Sequence, residues 1–238
     1  MGDVPAQITR TIRRGVYSDE SAPIEGYPFP IAAGEKSVLQ QYILAIDAAR
    51  DAIYIENQYL VSPEIVERLN AALDRGVEVV TVVPRRSEPR VIAARSDPRS
   101  WALIEHVSAL SFYENFTMAG LASNDGIGHY SDIYVHSKVM IVDDLWATIG
   151  STNIANQSLH ADTEMNVSFW DPDTVRAFRT ALFQEHLGTS IALADLPARA
   201  AIQYFQDVAH SNMQRRLNGE PLEGLACAFD PADYGAPF

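Results

Sequence analysis

The sequence predicts an α/β fold, a mixed, largely parallel β-sheet sandwiched between helices. Three observations carry this expectation. VEVVTVV at 77–83 is an uninterrupted apolar run, the kind of strand buried on both faces. Ahead of it, Ile65, Val66, Leu69, Ala72 and Leu73 form one stripe at helical spacing, and AIYIENQYL at 52–60 is β-rich. Strand, helix and strand joined by short links make a βαβ unit, which implies a parallel pair. The chain has 238 residues, 47% hydrophobic and 21% charged, enough for a sizeable core in one large domain or two small ones.

In chain order, residues 1–17 enter β-prone sequence almost at once without a capping or nucleating element, as expected of a chain excised from a longer one. Residues 16–34 hold Pro23, Pro28 and Pro30 and read as an ordered loop. From Ser37, the recurrence of Val38, Leu39, Tyr42, Ile43, Ile46 and Ala49 predicts a helix. The strand over 53–60 is interrupted by Glu56, Asn57 and Gln58; Pro63 opens a second helix that Gly76 closes. Residues 85–98, with Arg85, Arg86, Arg90 and Arg95, suit a loop or short helix; Arg85, Arg86 and Arg90 either attract a head group or membrane phosphate or, the better reading, form a solvated face. A helix over 99–109 and a short strand at 110–114 follow, and 115–132, rich in Gly, Asn, Asp and Ser, reads as loop. Strands at 133–142 and 145–149 form a hairpin around Asp143 and Asp144. A strand over 164–170, helices over 172–187 and 196–216 and an irregular tail at 218–238 complete the chain. This divides it into a lead-in (1–36), a central unit (37–217) and the tail (218–238).

Charge and composition narrow the function. With 18 Lys+Arg against 31 Asp+Glu, the net charge of −13 repels polyanions, which disfavours a nucleic-acid surface but permits a local positive pocket for one phosphate. A single cysteine, Cys227, forms no intrachain disulfide and supports no Cys-based zinc site. The N-terminal stretch lacks the apolar core of about 7–15 residues that marks a signal peptide. No window approaches the roughly 18 apolar residues of a membrane span. The expected location is cytoplasmic or peripheral at a membrane.

The chemistry is concentrated in VHSKVMIVDD at 135–144. On a strand, His136 and Lys138 point one way and Val135, Val139 and Ile141 the other. An imidazole beside a cation on one face is either a solvated strand or a pair facing an anion. A phosphodiester needs a nucleophile, a proton donor for the leaving alkoxide and neutralisation of its non-bridging oxygens. A neutral imidazole held by an acceptor on its other nitrogen can attack phosphorus, and Lys138 and Asn153, helped by Ser151, can hold the oxygens. None of this requires a metal or a cofactor. Asp143, on the opposite strand parity and beside a turn, reads as structural, bonding backbone or a neighbouring motif element.

The wider pattern is H-x-K-x4-D-x6-G-S-x-N over His136, Lys138, Asp143, Gly150, Ser151 and Asn153, without a departure. The chain resembles the phospholipase D superfamily, whose signature this is. QSLHADTEMN at 157–166 resembles the segment that follows the motif and places Glu164 where the family has a carboxylate that orients the histidine. AIYIENQYL resembles a segment lying between the two motifs of eukaryotic-type phospholipases D. The resemblance runs in order over 7–170 and implies αβα layers, a catalytic set of His136, Lys138, Asp143 and Glu164, and a metal-free phosphohistidine mechanism. Asn57 and Gln58 either line the pocket or mark a strand end; His129 and Tyr130 either touch substrate or are polar loop residues. His160 falls in the matched segment and suits a surface or structural role, and the histidines at 106, 186 and 210 lie in predicted helices and carry no signal.

The family's site needs two such motifs, one histidine attacking phosphorus and the other protonating the leaving group. The second residue after each remaining histidine is Ser, Ser, Asp, Gly or Asn, so this sequence carries one motif. Either a second copy of the chain supplies the other, or this is the C-terminal half of a split or larger enzyme, with His136 then resembling the general acid. The resemblance implies hydrolysis or alcohol transfer on phospholipids such as phosphatidylcholine at a transiently visited membrane surface. Another phosphodiesterase or nuclease of the superfamily, or a non-catalytic half-domain, are the alternatives.

Overall fold

The computed structural model describes residues 2–18, 30–98, 100–188 and 193–237, with the side chains of Trp101 and Leu103 left aside. Part of the loop expected at 16–34, residues 19–29, lies outside them, as does residue 99 of the helix expected at 99–109. The strands are β1 (Ala6–Ile12), β2 (Glu35–Lys36), β3 (Ala52–Glu56), β4 (Leu60–Val61), β5 (Glu78–Val82) and β6 (Phe116–Asn124). They continue with β7 (Tyr130–Ile133), β8 (Val139–Val142), β9 (Trp146–Gly150), β10 (Ile154–Ala155), β11 (Glu164–Phe169) and β12 (Ala226–Ala228). The helices are α1 (Ser37–Ala48), α2 (Pro63–Asp74), α3 (Pro89–Ser96), α4 (Trp101–Ser108), α5 (Asn156–His160), α6 (Pro172–Leu187) and α7 (Ala198–Leu217).

The main sheet runs β12-β6-β5-β3-β8-β9-β11-β1-β2, with β7 paired to β6. The expected βαβ unit is present: β3 and β5 pair in parallel around α2, and β5 pairs in parallel with β6. The largely parallel sheet is not. Pairs β3–β8, β8–β9, β9–β11, β11–β1, β1–β2, β6–β7 and β6–β12 are all antiparallel. The reason is connectivity: β8 and β9 are joined by a tight turn and β6 and β7 by a short loop, and such links can only reverse the chain.

Helices cover both faces. β3 shows how alternation divides the core. Ile53 and Ile55 pack with Val38, Tyr42, Ile46, Ile65 and Leu69 of α1 and α2. Tyr54, on the other face, meets Phe183 of α6 and Phe205 of α7 at ring separations of 4.9 and 5.6 Å.

Four local expectations change. The strand at 110–114 is a turn of 3-10 helix, Ala109–Phe112. The loop at 115–132 contains the nine-residue β6, paired on both sides, and β7. The stretch 218–238 contributes β12, and Phe229 and Tyr234 are buried against the core. The strand expected over 133–142 breaks in two, so residues 134–138, including His136 and Lys138, belong to neither β7 nor β8.

Candidate active site

Because 134–138 is not strand, shared parity does not place the two motif residues. His136 is exposed and Lys138 is 6% exposed. The Lys138 Nζ folds back to donate to the His136 carbonyl at 2.7 Å and to Gln58 Oε1 at 3.4 Å. Burial pushes the Lys138 ammonium below the ordinary lysine value, and the negative charge of Glu164 opposes that shift. The ring of His136 stacks on Tyr134 with centroids 6.0 Å apart, and among the described residues no hydrogen bond engages its nitrogens.

The G-S-x-N segment reaches this place through β9 and β11. Gly150 N–H donates to the Lys138 carbonyl at 3.1 Å, tying the two halves of the motif together. A Cβ at Gly150 would lie 2.1 Å from Asn166 Oδ1 and 2.5 Å from the Met165 carbonyl, so only glycine fits. Thr152 Oγ1 donates to Asn166 Oδ1 at 2.8 Å, and Asn166 Nδ2 donates to the Tyr42 hydroxyl at 3.0 Å. Ser151 donates its hydroxyl to Glu164, whose carboxylate also acts on Lys138. Thus Glu164 stands beside Ser151 and Lys138, without a hydrogen bond to the His136 ring.

Asn153 Oδ1 is buried without a hydrogen-bond partner among the described residues. Asn153 and Gln58 share the wall of a cleft of about 240 Å³ with Tyr59, Arg90 and Ser158. Asn57 is different. Its Nδ2 donates to the Thr152 carbonyl at 3.3 Å, and its Oδ1 accepts from Tyr59 N at 3.1 Å and Ile154 N at 3.0 Å. It pins the G-S-x-N turn, and at 1% exposure it is committed to backbone.

Asp143 lies at the other end of β8, about 16 Å from Lys138 at strand rise. Its carboxylate accepts from the N–H groups of Arg50, Asp51 and Ala52 at 2.8–2.9 Å, clamping the start of β3. Both Asp143 and Asp144 have φ of 55°, and Leu145 N–H closes the turn on the Val142 carbonyl at 2.9 Å. The motif aspartate therefore clamps the turn and the start of β3.

Two residues that the sequence left without a role meet beneath the motif. Glu56 and His186, each 4% exposed, are joined at 2.9 Å, and Ser137 Oγ donates to Glu56 at 2.5 Å. A carboxylate at the end of an otherwise apolar strand, in phase with Tyr54, was the available signal. The remaining histidines sit elsewhere: His106 is in the last turn of α4, His129 pairs with Asp125 at 2.8 Å, His160 lies 3.7 Å from Glu64, and His210 meets Thr117 at 3.0 Å. Tyr130 donates to the Glu220 carbonyl at 2.7 Å. Among the described residues no three His, Cys, Asp or Glu side chains form a metal-ligand cluster, and no helix is long and apolar enough to cross a membrane.

Comparison with known proteins identifies the family. The chain is 26% identical over 146 residues to cardiolipin synthase 2 of Staphylococcus epidermidis, covering 60% of this chain and 26% of that protein. It is 26% identical over 161 residues to the probable cardiolipin synthase YwiE of Bacillus subtilis, covering 67% and 29%. The chain thus spans about a quarter of the length of these curated relatives. The structure of NucT from Helicobacter pylori superposes with a TM-score of 0.51 at 16% identity, over 74% of this chain and 93% of that one, a likeness of fold. The family model described as "Cardiolipin synthase, PLD-like domain" matches residues 42–186, more than half of the sequence, so the chain belongs to the phospholipase D superfamily of HKD-motif proteins.

Proposed function

We propose that this chain is one catalytic half of a phospholipid phosphodiesterase or phosphatidyltransferase. The observation that carries the reading is the exposed His136 imidazole beside a buried ammonium, Lys138, whose acceptors among the described residues are a carbonyl and the Gln58 amide. A phosphate oxygen is a stronger acceptor than either. Lys138 and Asn153 hold the non-bridging oxygens, with Ser151 as a further donor. Glu164, which stands beside Ser151 and Lys138, is the acceptor for the far nitrogen of His136 on this reading.

The complete reaction uses two histidines. One attacks phosphorus through its lone pair while the P–O bond to the leaving alcohol breaks, giving a phosphohistidine. The other delivers its proton to the departing alkoxide. It then removes a proton from water or an alcohol, whose oxygen displaces the histidine nitrogen from phosphorus. His136 fills one of these roles, and a second half-domain or a second copy of the chain supplies the other. The acidic charge favours a lipid over a nucleic acid as the phosphodiester.

The test is choline release from phosphatidylcholine vesicles by the chain alone and mixed with a separately expressed N-terminal half, with solution mass measured in parallel. Activity should require the dimer or the mixture, and His136→Ala should abolish it in folded protein. Undiminished turnover by that variant, or by a monomer, overturns the reading.

A further inference from the structure

The backbone that carries His136 has no strand partner. β7 stops at Ile133 and β8 starts at Val139, so residues 134–138 are held by the Gly150 N–H bond to the Lys138 carbonyl at one end and otherwise by side-chain tethers. One of them reaches Glu56, in the buried layer beneath the motif. Its Oε2 accepts from Ser137 Oγ at 2.5 Å, and its Oε1 accepts from the Tyr54 hydroxyl at 2.8 Å and His186 Nε2 at 2.9 Å. An acceptor-only carboxylate places the proton of His186 on Nε2. Nδ1 of the same ring is buried without a partner among the described residues.

His186 is itself held in place. It lies in the last turn of α6, and its carbonyl accepts from Leu225 N at 2.7 Å. Gly224, at φ 69°, comes so close that a Cβ there would lie 2.6 Å from the His186 carbonyl oxygen. The network therefore links β3, α6, the C-terminal segment and the motif loop. It does so next to Phe183 and Phe205, where apolar packing was an available alternative. A buried carboxylate–imidazole pair is weak evidence for stability, because apolar residues of similar volume often serve as well. What apolar residues cannot do is accept the Ser137 hydroxyl.

Burial pushes the Glu56 carboxyl up, but the hydrogen bond and charge of His186, with the bonds from Ser137 and Tyr54, outweigh it. The carboxyl stays below its ordinary value and remains an acceptor at neutral pH.

We infer that Glu56 and His186 are positioning residues, which clamp Ser137 and so set the His-Ser-Lys backbone for one oxyanion. This inference rests on the phosphodiesterase reading for what the site binds, but the clamp itself can be read without substrate. The probes are inorganic phosphate affinity, the NMR resonances and titration of the His136 ring in phosphate-free protein, and urea unfolding. Ser137→Ala and Glu56→Gln should each weaken phosphate binding about ten-fold and shift the His136 resonances, with cooperative unfolding retained. Ser137→Thr, which keeps the hydroxyl, should restore both. Tyr54→Phe removes a donor to the same carboxylate without touching the motif loop, so it should lower stability and leave the His136 resonances unchanged. If Glu56→Gln does not fold, Ser137→Ala carries the test, since it deletes one hydroxyl. Unmoved His136 resonances in Ser137→Ala, or the same shift in Tyr54→Phe, overturn the clamp. Wild-type protein that fails to bind phosphate overturns the phosphodiesterase reading instead, and the His136 resonances still decide the clamp.

Discussion

The ammonium of Lys138 is bonded to the carbonyl of His136 at 2.7 Å, so the cation of the motif rests against the backbone of its own imidazole. An ammonium has three N–H donors, and with the His136 carbonyl and Gln58 Oε1 as its acceptors among the described residues, one is left for an incoming phosphate. Burial already holds the ammonium below its ordinary value of 10.5. Only the protonated form attracts an oxyanion. Phosphate affinity should therefore decline on the alkaline side at a pH below 10.5, and bound phosphate should move that decline upward. Calorimetric titration of phosphate across alkaline pH checks this. Affinity that stays level up to the ordinary lysine range would refute it.

Asp143 should matter to folding more than to chemistry. Its three backbone bonds at the start of β3 are made to a carboxylate, and bonds to charged groups contribute about 1.5–3 kcal/mol each when dry. The donors at Arg50 and Asp51 are exposed to water, which repays part of the loss. Asp143→Ala is expected to cost about 2–3 kcal/mol in urea unfolding. Asp143→Asn, which keeps one acceptor oxygen, should cost less. Equal stability of the alanine variant and wild type would remove the clamp role.

How much of this was legible in the sequence depends on where each residue's surroundings come from. α2 was visible from Pro63 to Gly76 because its stripe, its opening proline and its closing glycine are all local. β6 was not: FTMAGLASN has few β-branched residues and becomes strand because β5 and β12 pair with it on both sides. The parallel β3–β5 pair was legible, but extending it to the sheet overlooked that tight links force antiparallel returns. In the site, the motif spacing singled out His136, Lys138, Asn153 and Ser151. Glu56 read as an interruption and His186 as one more helical histidine, since their meeting spans 130 positions and is made only by the fold.

Asp144 and Arg179 form a second deeply buried charged contact near the motif. The guanidinium donates from Nε and Nη2 to the two carboxylate oxygens at 2.8 and 2.9 Å, and it also holds the carbonyls of Leu193 and Leu196. The side chains are 2% and 4% exposed. Removing Arg179 leaves the buried Asp144 carboxylate with Arg176 Nε, 3.7 Å away, as a partial counter-charge, so Arg179→Met should cost about 3 kcal/mol, the lower end for a broken buried pair. Adding Asp144→Asn to it should cost less than the sum of the single changes. A double-mutant cycle by chemical unfolding checks this, and additive losses would mean that the pair is not coupled.

Glu56 makes the acid side of the stability curve informative. Its carboxyl sits below 4.5 in the folded protein, because His186, Ser137 and Tyr54 outweigh the upward push of burial. A carboxylate with a depressed folded value binds fewer protons folded than unfolded. Its contribution is therefore complete above the unfolded value of 4.5 and is lost as pH falls through the folded one. Glu56→Gln cannot titrate. Relative to wild type it should be destabilised most at neutral pH, by about 1–3 kcal/mol, the usual cost of disturbing a buried charged hydrogen bond. The gap should narrow as the wild type is acidified below pH 4.5. Urea unfolding of both proteins from neutral to acid pH reads the difference directly. A gap that stays constant across that range would show that the charge of Glu56 does not hold Ser137 and His186 together.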